Sequence, residues 1–298
     1  MHAHVYHKGD VKKGAINVAS LIMKTLTDSN ISRENDPGGE LVVVFDNCSG
    51  QNKNNTVLKL LVYLTEIGYF KRVTFVFLIV GHTKNAADRL FNMLKRDYRL
   101  KNIFTMDCLL DHLDVSESVT VHPTQADDIF DYESFLDMFY SDFKGKVKQH
   151  HIFSCNYNSS RVGNKINVEL RESNLDIHPI TTHNAIKTGF FGRTENYAKG
   201  SKGLREAIMN RPTDIARYKA EYLRNVEPPS INIYKRVELH TKYKHIVPIE
   251  FQDDILYEEP PQSVIDAVKA EKKSRGEFKK DLNAEKKKVS RKFDEMLH

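Results

Sequence analysis

The strongest constraint on the fold is an apolar run, LVVVF at residues 41–45, which is followed directly by an aspartate and a polar loop. An uninterrupted run of β-branched and aromatic residues is typical of a central strand that is buried on both faces. The polar loop at 47–55 leads into an amphipathic helix, which Asn55 or Thr56 is suited to cap. A second apolar run, VTFVFLIV at 73–80, predicts another buried strand.

Predicted helices at 15–26 and 85–98 flank these two strands. Strands that alternate with helices indicate an α/β fold, with helices covering a sheet. Beyond residue 113 the pattern weakens to a mixed α+β region, with helices predicted at 131–144, 200–210 and 213–224 and a β-prone piece at 231–249. The last segment, 263–297, predicts a long polar helix.

Composition and charge exclude several classes of protein. The 298 residues carry 45 Lys and Arg against 40 Asp and Glu, and a net charge of +5 predicts only weak general attraction to phosphates. The longest apolar stretch is far shorter than the roughly 18 residues of a spanning helix, which argues against a membrane protein. Three scattered cysteines predict a reducing compartment without disulfides. The amino terminus lacks the apolar segment of a secretory signal.

Two aspartates occupy positions suited to metal binding. Asp46 ends the first buried strand, and Asp88 begins the helix after the second. Ligands of open α/β sheets bind at the carboxyl ends of strands, so parallel neighbours would bring both carboxylates to one edge. Carboxylate oxygens bind Mg²⁺ or Mn²⁺, and two such ions activate water or a 3′-hydroxyl against a phosphodiester. The alternative is a turn or cap role for Asp46 and a helix-dipole role for Asp88.

Other candidate residues lie close to these aspartates. His82 follows the second strand and is suited to bind metal, to shuttle a proton or to contact phosphate, unless it is a hydrogen-bonded turn residue. Gln51, Asn52 and Lys53 are suited to contact a nucleic-acid backbone where their loop enters a helix; the alternative is a solvated loop. The loop lacks the Walker A order, which argues against a nucleotide hydrolase or phosphotransferase.

Two motifs together resemble a family of transposon-derived domains of unknown function. FDNCSGQNKNNT at 45–56 and GHTKNAADRLF at 81–91 are similar to the family patterns D-x-C-G-G-Q-N-[KR]-N and G-H-[ST]-x-x-x-x-D-x-x-F. The segment VYHKGDVKKGAINVASLI at 5–22 is similar to the piece that precedes them in the family. The resemblance covers about residues 4–113 and is looser near residue 250.

The resemblance implies an RNase H-like mixed sheet flanked by helices, with a DDE/DDD-type acidic triad that acts on DNA with Mg²⁺ or Mn²⁺. Asp46 would match the second acidic residue, Asp88 the third, and His82 the family histidine. Ser49 replaces the usual first glycine of the loop. In an RNase H-like fold the first catalytic aspartate lies on the first strand, whereas this sequence begins at what resembles the third strand, HVYH at 4–7. Asp10 lies in a turn and is not a substitute. We therefore expect a truncated copy that lacks its first strands.

The resemblance also predicts three regions along the chain. Residues 1–145 would form the partial RNase H-like catalytic core, residues 146–260 the C-terminal α+β region of the transposase-like domain, and residues 261–298 a charged helical tail. Between the second and third regions the sequence turns strongly polar, and the tail is dense in lysine and arginine.

Basic residues of the second half suit a DNA partner. Lys187 and Arg193 alternate with aromatic residues. In such a segment the basic side chains can follow a phosphate backbone while the aromatic rings stack on bases. The alternative is an ordinary loop with buried phenylalanines. The lysine-rich tail is suited to bind nucleic acid or to act as a nuclear import signal, unless it is simply a solvated helix. These features predict nuclear localisation, with the cytoplasm as the alternative, and leave a homo-oligomer open.

Two functions follow as hypotheses. The first is a transposase-derived protein whose ancestral activity is metal-dependent DNA cleavage and strand transfer, weak or absent in this truncated chain. The second is a non-catalytic nucleic-acid-binding protein that retains the fold. DNA binding that survives loss of both aspartates would separate the second from the first.

Overall fold

A computed structural model describes residues 2–31, 39–79, 86–114, 119–158, 160–162, 165–173, 180–187, 201–229 and 231–297. The strands are β1 (His2–Val5), β2 (Glu40–Phe45), β3 (Arg72–Phe77), β4 (Thr120–Pro123), β5 (Ile152–Asn156), β6 (Arg161–Val162), β7 (Lys165–Arg171) and β8 (Thr181–Asn184). The α-helices are α1 (Ala15–Asp28), α2 (Asn55–Glu66), α3 (Ala86–Arg99), α4 (Met106–Asp114), α5 (Tyr132–Asp137), α6 (Ser201–Tyr222), α7 (Ile233–Glu238) and α8 (Gln262–Leu297).

The main sheet is mixed, as the sequence predicted. Its described strands run in the order β2-β3-β5-β7, and both β6 and β8 pair with β7. The β2–β3 pair is parallel and is connected through α2, whereas the pairs from β3 to β8 are antiparallel. The α/β fold class with a helix-flanked mixed sheet is therefore confirmed.

Helix α2 lies at the centre of the hydrophobic core. Every residue from 56 to 66 is buried, because α2 contacts β3 and β5 on one side and α1 and α5 on the other. Phe75, Phe77 and Phe153 contribute fully buried rings from the sheet face that meets these helices. Gly68 has a φ of 73°, a left-handed conformation that glycine adopts without steric cost, and it follows the end of α2 as predicted.

Strand β2 is not the doubly buried central strand that its apolar run predicts. It lies at the edge of the described sheet, where Val42 is 58% exposed and Val44 is 50% exposed. Leu41 and Phe45 alternate with these valines and pack into the core. The prediction of burial on both faces was wrong because the helices in contact with this strand pair cover only one of its faces.

The amino-terminal strand pairs outside the main sheet. β1 runs parallel to β4 in a two-stranded sheet, with His4 opposite His122. Their imidazole rings stack with centroids 5.1 Å apart. The HVYH segment, which the resemblance places as the third strand of an RNase H-like sheet, therefore pairs with β4 rather than with the described strands of the main sheet.

The second half of the chain differs from its predicted elements. The helices predicted at 200–210 and 213–224 form one helix, α6, which contains Pro212. The β-prone piece 231–249 is helical, since α7 continues through a π-helical turn, Leu239–Tyr243, into a 3₁₀ turn. The long polar helix is confirmed as α8.

The chain divides into two compact units. One comprises residues 1–97 and 113–229, and the other comprises residues 98–112 and 230–298. The main sheet and its helices α1, α2 and α5 belong to the first unit, while α7 and α8 belong to the second. The three predicted regions stay a prediction, although strands β5 to β8 of the second region share a sheet with β2 and β3.

Candidate functional site

The loop between β2 and α2 is built around one carbonyl group. The Cys48 carbonyl accepts hydrogen bonds from the backbone N–H groups of Gln51 (3.3 Å), Asn52 (2.8 Å) and Lys53 (3.0 Å). Three donors on one oxygen hold the loop in a tight turn directly after β2. The turn keeps the loop close to the carboxyl end of the strand, where Asp46 lies.

The amino terminus of α2 is capped by a residue other than those predicted. The Asn54 side chain accepts a hydrogen bond from the Val57 N–H at 3.1 Å, so Asn54 is the cap. The prediction of Asn55 or Thr56 was wrong for a physical reason. The Asn55 side-chain oxygen instead accepts from the Phe143 N–H at 3.0 Å, which ties α2 to the segment that follows α5.

Asp46 presents an exposed carboxylate at the end of β2. Its Oδ1 atom accepts a hydrogen bond from the Cys48 N–H at 3.3 Å and another from the side-chain amide of Asn52. Both contacts fall on Oδ1, and among the described residues none falls on Oδ2. Asn52, which the sequence suggested as a nucleic-acid contact, therefore orients the carboxylate in this structure.

The carboxyl ends of β2 and β3 share one edge, as predicted for parallel neighbours. Phe45 lies opposite Phe77, and the Leu78 N–H donates to the Phe45 carbonyl at 2.9 Å. The chain after β3 therefore leaves the sheet beside Asp46. Asp88 follows in the first turn of α3 with an exposed side chain. His82 lies outside the described residues, and the approach of Asp88 to Asp46 stays a prediction.

The predicted nucleic-acid contacts differ in exposure. Lys53 is 5% exposed, and its ammonium donates to the Lys148 carbonyl at 3.3 Å. Burial lowers the pKa of Lys53. Gln51 is half-buried, and Lys187 is exposed and donates to the Asp137 carbonyl at 2.6 Å. Arg193 lies outside the described residues.

A buried lysine that the sequence analysis did not single out lies near Lys187. The Lys59 side chain on α2 is 3% exposed, and its ammonium lies 2.5 Å from carboxylate oxygens of both Asp137 and Asp142. Burial disfavours the charge on Lys59, but its hydrogen bonds to the two carboxylates outweigh burial and raise its pKa. In the sequence, this cluster was indicated only by a lysine among the apolar residues of the α2 segment. The contacts make it a structural tie between α2 and the end of α5.

The donor set at the β2–β3 edge suits a weakly held Mg²⁺ or Mn²⁺. Magnesium binds through one or two carboxylates, keeps several waters and completes its shell with substrate phosphates. Asp46 could supply one such oxygen through Oδ2, and the second, from Asp88, stays a prediction of the sequence. Within the described ranges, no group of three or more His, Cys, Asp or Glu side chains is arranged to hold a metal ion.

Comparison with known proteins assigns a family but no activity. The model of a family described as a domain of unknown function (DUF7869) matches residues 7–170, which is more than half of the 298 residues. The matched segment includes β2, the loop, α2, β3 and α3. No curated protein and no solved structure matches the chain. None of the helices in the described part is long and apolar enough to cross a membrane.

Proposed function

The chain belongs to the DUF7869 family, a domain of unknown function, and we propose that it derives from a transposase with an RNase H-like core. Its ancestral activity is divalent-metal-dependent cleavage of DNA phosphodiesters and strand transfer. We expect the activity to be weak or absent, because Asp46 and Asp88 match only the second and third acidic residues of the family triad. The proposal rests on the motif resemblance together with the geometry of the β2–β3 edge.

The observation that carries the proposal is the parallel β2–β3 pair with Asp46 at its carboxyl edge. Within the described part of the chain, both hydrogen bonds to the Asp46 carboxylate fall on Oδ1, and the loop that orients it leads directly into the amino terminus of α2. Ligands of α/β sheets bind at such edges. The positive end of α2 lies beside them and favours phosphate.

Asp46 and Asp88 would hold the cation of this site. Held by these two carboxylates, such a cation would supply Lewis-acid chemistry toward a phosphodiester and would activate water. The protein's own contribution is to orient Asp46, through the Cys48 N–H and the Asn52 amide, and to place the loop where a DNA backbone would pass. His82 would contact phosphate or orient water in the same scheme.

The remaining proposed contacts would position DNA rather than react with it. Lys187 is exposed, and we place it with Arg193 on the path of the phosphate backbone. Gln51 and Asn52 offer amide groups to the same backbone, and Lys53 adds positive charge from beneath the loop. Contacts of this kind give affinity and register without sequence selectivity. A nuclear location and a possible homo-oligomer belong to the same proposal.

Retention of DNA binding without catalysis is the second candidate, and the burial of Lys53 favours it. A lysine whose ammonium is bound to the Lys148 carbonyl serves the fold and not a reacting phosphate. A chain of this kind would bind DNA equally well after both aspartates are replaced by asparagine. The first candidate predicts that the same replacement removes any residual metal-dependent cleavage.

DNA binding by the full chain is expected to be strongly salt-dependent. With about three phosphate contacts, affinity should fall about 40-fold between 50 and 200 mM salt, since each contact releases counterions. Fluorescence anisotropy with a labelled duplex measures the fall. Lys187→Gln should reduce the salt slope by about one contact, whereas Lys101→Gln, which removes the same charge elsewhere, should leave it unchanged.

Cleavage of an end-labelled duplex in Mg²⁺ or Mn²⁺ completes the test. We expect little or no product from the full chain. Robust cleavage that Asp46→Asn abolishes would overturn the claim of an incomplete site. Absence of DNA binding at 50 mM salt would overturn both candidate functions, because each requires contact with the phosphate backbone.

A further inference from the structure

An open pocket of about 460 Å³ lies in the second compact unit, between the π-helical turn after α7 and the start of α8. Its lining includes His240, Lys244 and His245 from the helical segment and Gln262 and Lys269 from α8. The walls belong to one packed unit, because Val237 of α7 packs in the core against Ile265 and Val268 of α8.

A π-helical turn forms part of the wall from which His240 lines the pocket. π-Helical turns are rare and occur frequently at functional sites, because the extra residue rotates neighbouring side chains out of the α-helical register. Here the turn spans Leu239–Tyr243, and His240 on it lines the pocket. The π-helical turn and the charges of the lining are two separate features of the pocket.

His240 is held in a defined orientation. Its Nδ1 atom lies 3.1 Å from the Tyr257 carbonyl, which only accepts, so Nδ1 carries the hydrogen and Nε2 remains for another partner. Tyr257 is buried, and its hydroxyl donates to the Phe104 carbonyl at 2.7 Å. Because Tyr257 is buried, the hydrogen bond to its carbonyl fixes the orientation of the His240 ring. The ring is therefore preorganised for a ligand.

The charges of the lining favour an anion. Lys244 and Lys269 oppose a single lining carboxylate, Glu259, so the lining carries more positive than negative charge. Helix α8 begins at Gln262, so the positive end of a 36-residue helix lies at the pocket wall. Lysine ammonium groups and a helix amino terminus together are the usual partners of phosphate.

We propose that this pocket binds phosphate groups, either of a small phosphorylated molecule or of a nucleic-acid backbone. Lys244 and Lys269 make the charge-assisted contacts, and the backbone N–H groups in the first turn of α8 donate to the same phosphate. His240 Nε2 accepts from a P–OH group where the phosphate carries one. Glu259 competes for the same cations and keeps the affinity modest. The site lies in a different unit from the Asp46 edge, so it is independent of the proposed nuclease ancestry.

Titration of the full chain with pyrophosphate by isothermal calorimetry tests the site. The double variant Lys244→Gln/Lys269→Gln should bind pyrophosphate at least about tenfold more weakly, since two charge-assisted contacts are lost. Glu259→Gln should bind about threefold more tightly, because the competing charge is gone. Lys279→Gln/Lys280→Gln removes the same charge from exposed positions of α8 outside the pocket and should leave affinity unchanged.

A second arm separates the two sources of phosphate. Binding of a short single-stranded oligonucleotide that pyrophosphate displaces would identify a backbone phosphate as a ligand of the pocket, whereas tight pyrophosphate binding without oligonucleotide binding would identify a small molecule. Asp46→Asn/Asp88→Asn should leave pyrophosphate binding unchanged, which distinguishes this site from the sheet edge. No pyrophosphate binding at 10 mM by the wild-type chain, or an equal loss in both lysine double variants, would overturn the proposal.

Discussion

Replacement of Arg211 by alanine is expected to lower the free energy of unfolding by about 3–5 kcal/mol. Arg211 on α6 and Glu66 on α2 are both 0% exposed as side chains. The guanidinium donates to Glu66 through Nε at 2.6 Å and through Nη2 at 3.1 Å, and the Tyr140 hydroxyl donates to the same carboxylate at 2.8 Å. Loss of the guanidinium leaves a buried carboxylate without its cation, so the melting temperature should fall by about 6–20 °C.

A double variant distinguishes lost charge compensation from lost packing. Glu66→Leu/Arg211→Met removes both charges and keeps the volume, so it should cost less than Arg211→Ala alone. Urea denaturation of both variants measures the difference. If the double variant is as unstable as the single one, the uncompensated charge on Glu66 is not the cause of the loss.

The second large effect is expected at Phe153, where alanine should cost about 3–5 kcal/mol. Phe153 is 0% exposed on β5 and faces α2. Its ring makes edge-to-face contacts with Phe77 and Phe143, with centroids 5.8 Å and 6.0 Å apart. Truncation opens a cavity in the core between β5 and α2, because Phe77 is held in β3 and cannot move into the space without distorting that strand.

The neighbouring residue provides a matched control on the same strand. Ile152 points to the opposite face of β5 and is only half-buried, so Ile152→Ala should cost about 1 kcal/mol. Chemical denaturation of the two variants compares the two faces of the sheet directly. Equal losses would show that the second face is packed as tightly as the first, contrary to the described contacts.

The local elements of the fold were predictable, but their tertiary placement was not. The apolar period of residues 15–26 and the run at 41–45 identified α1 and β2, because these signals are local. The same run did not reveal that Val42 and Val44 are exposed at an edge, since burial depends on which helices cover the sheet. Asn54 caps α2, while the Asn55 side chain is engaged by the Phe143 N–H. Phe143 lies far along the chain, so a local pattern could not reveal this contact.

Two further differences have the same origin. The segment 231–249 has β-prone residues, yet it is helical because Val237 packs on Ile265 and Val268 of α8. Glu66 and Arg211 are 145 positions apart, and no sequence pattern pairs them. At the candidate site, the sequence correctly placed Asp46 after a strand of a parallel pair. It did not predict that Lys53 is buried, because that depends on a hydrogen bond to the distant Lys148 carbonyl.

Titration of Mn²⁺ into the full chain, followed by electron paramagnetic resonance, tests the central claim most directly. The account predicts weak saturable binding that falls at least about tenfold in Asp46→Asn and in Asp88→Asn, because each removes one of two carboxylate ligands. Asp107→Asn, which removes an exposed carboxylate from the first turn of α4, should not change it. Mn²⁺ binding that survives replacement of both Asp46 and Asp88 would contradict the account.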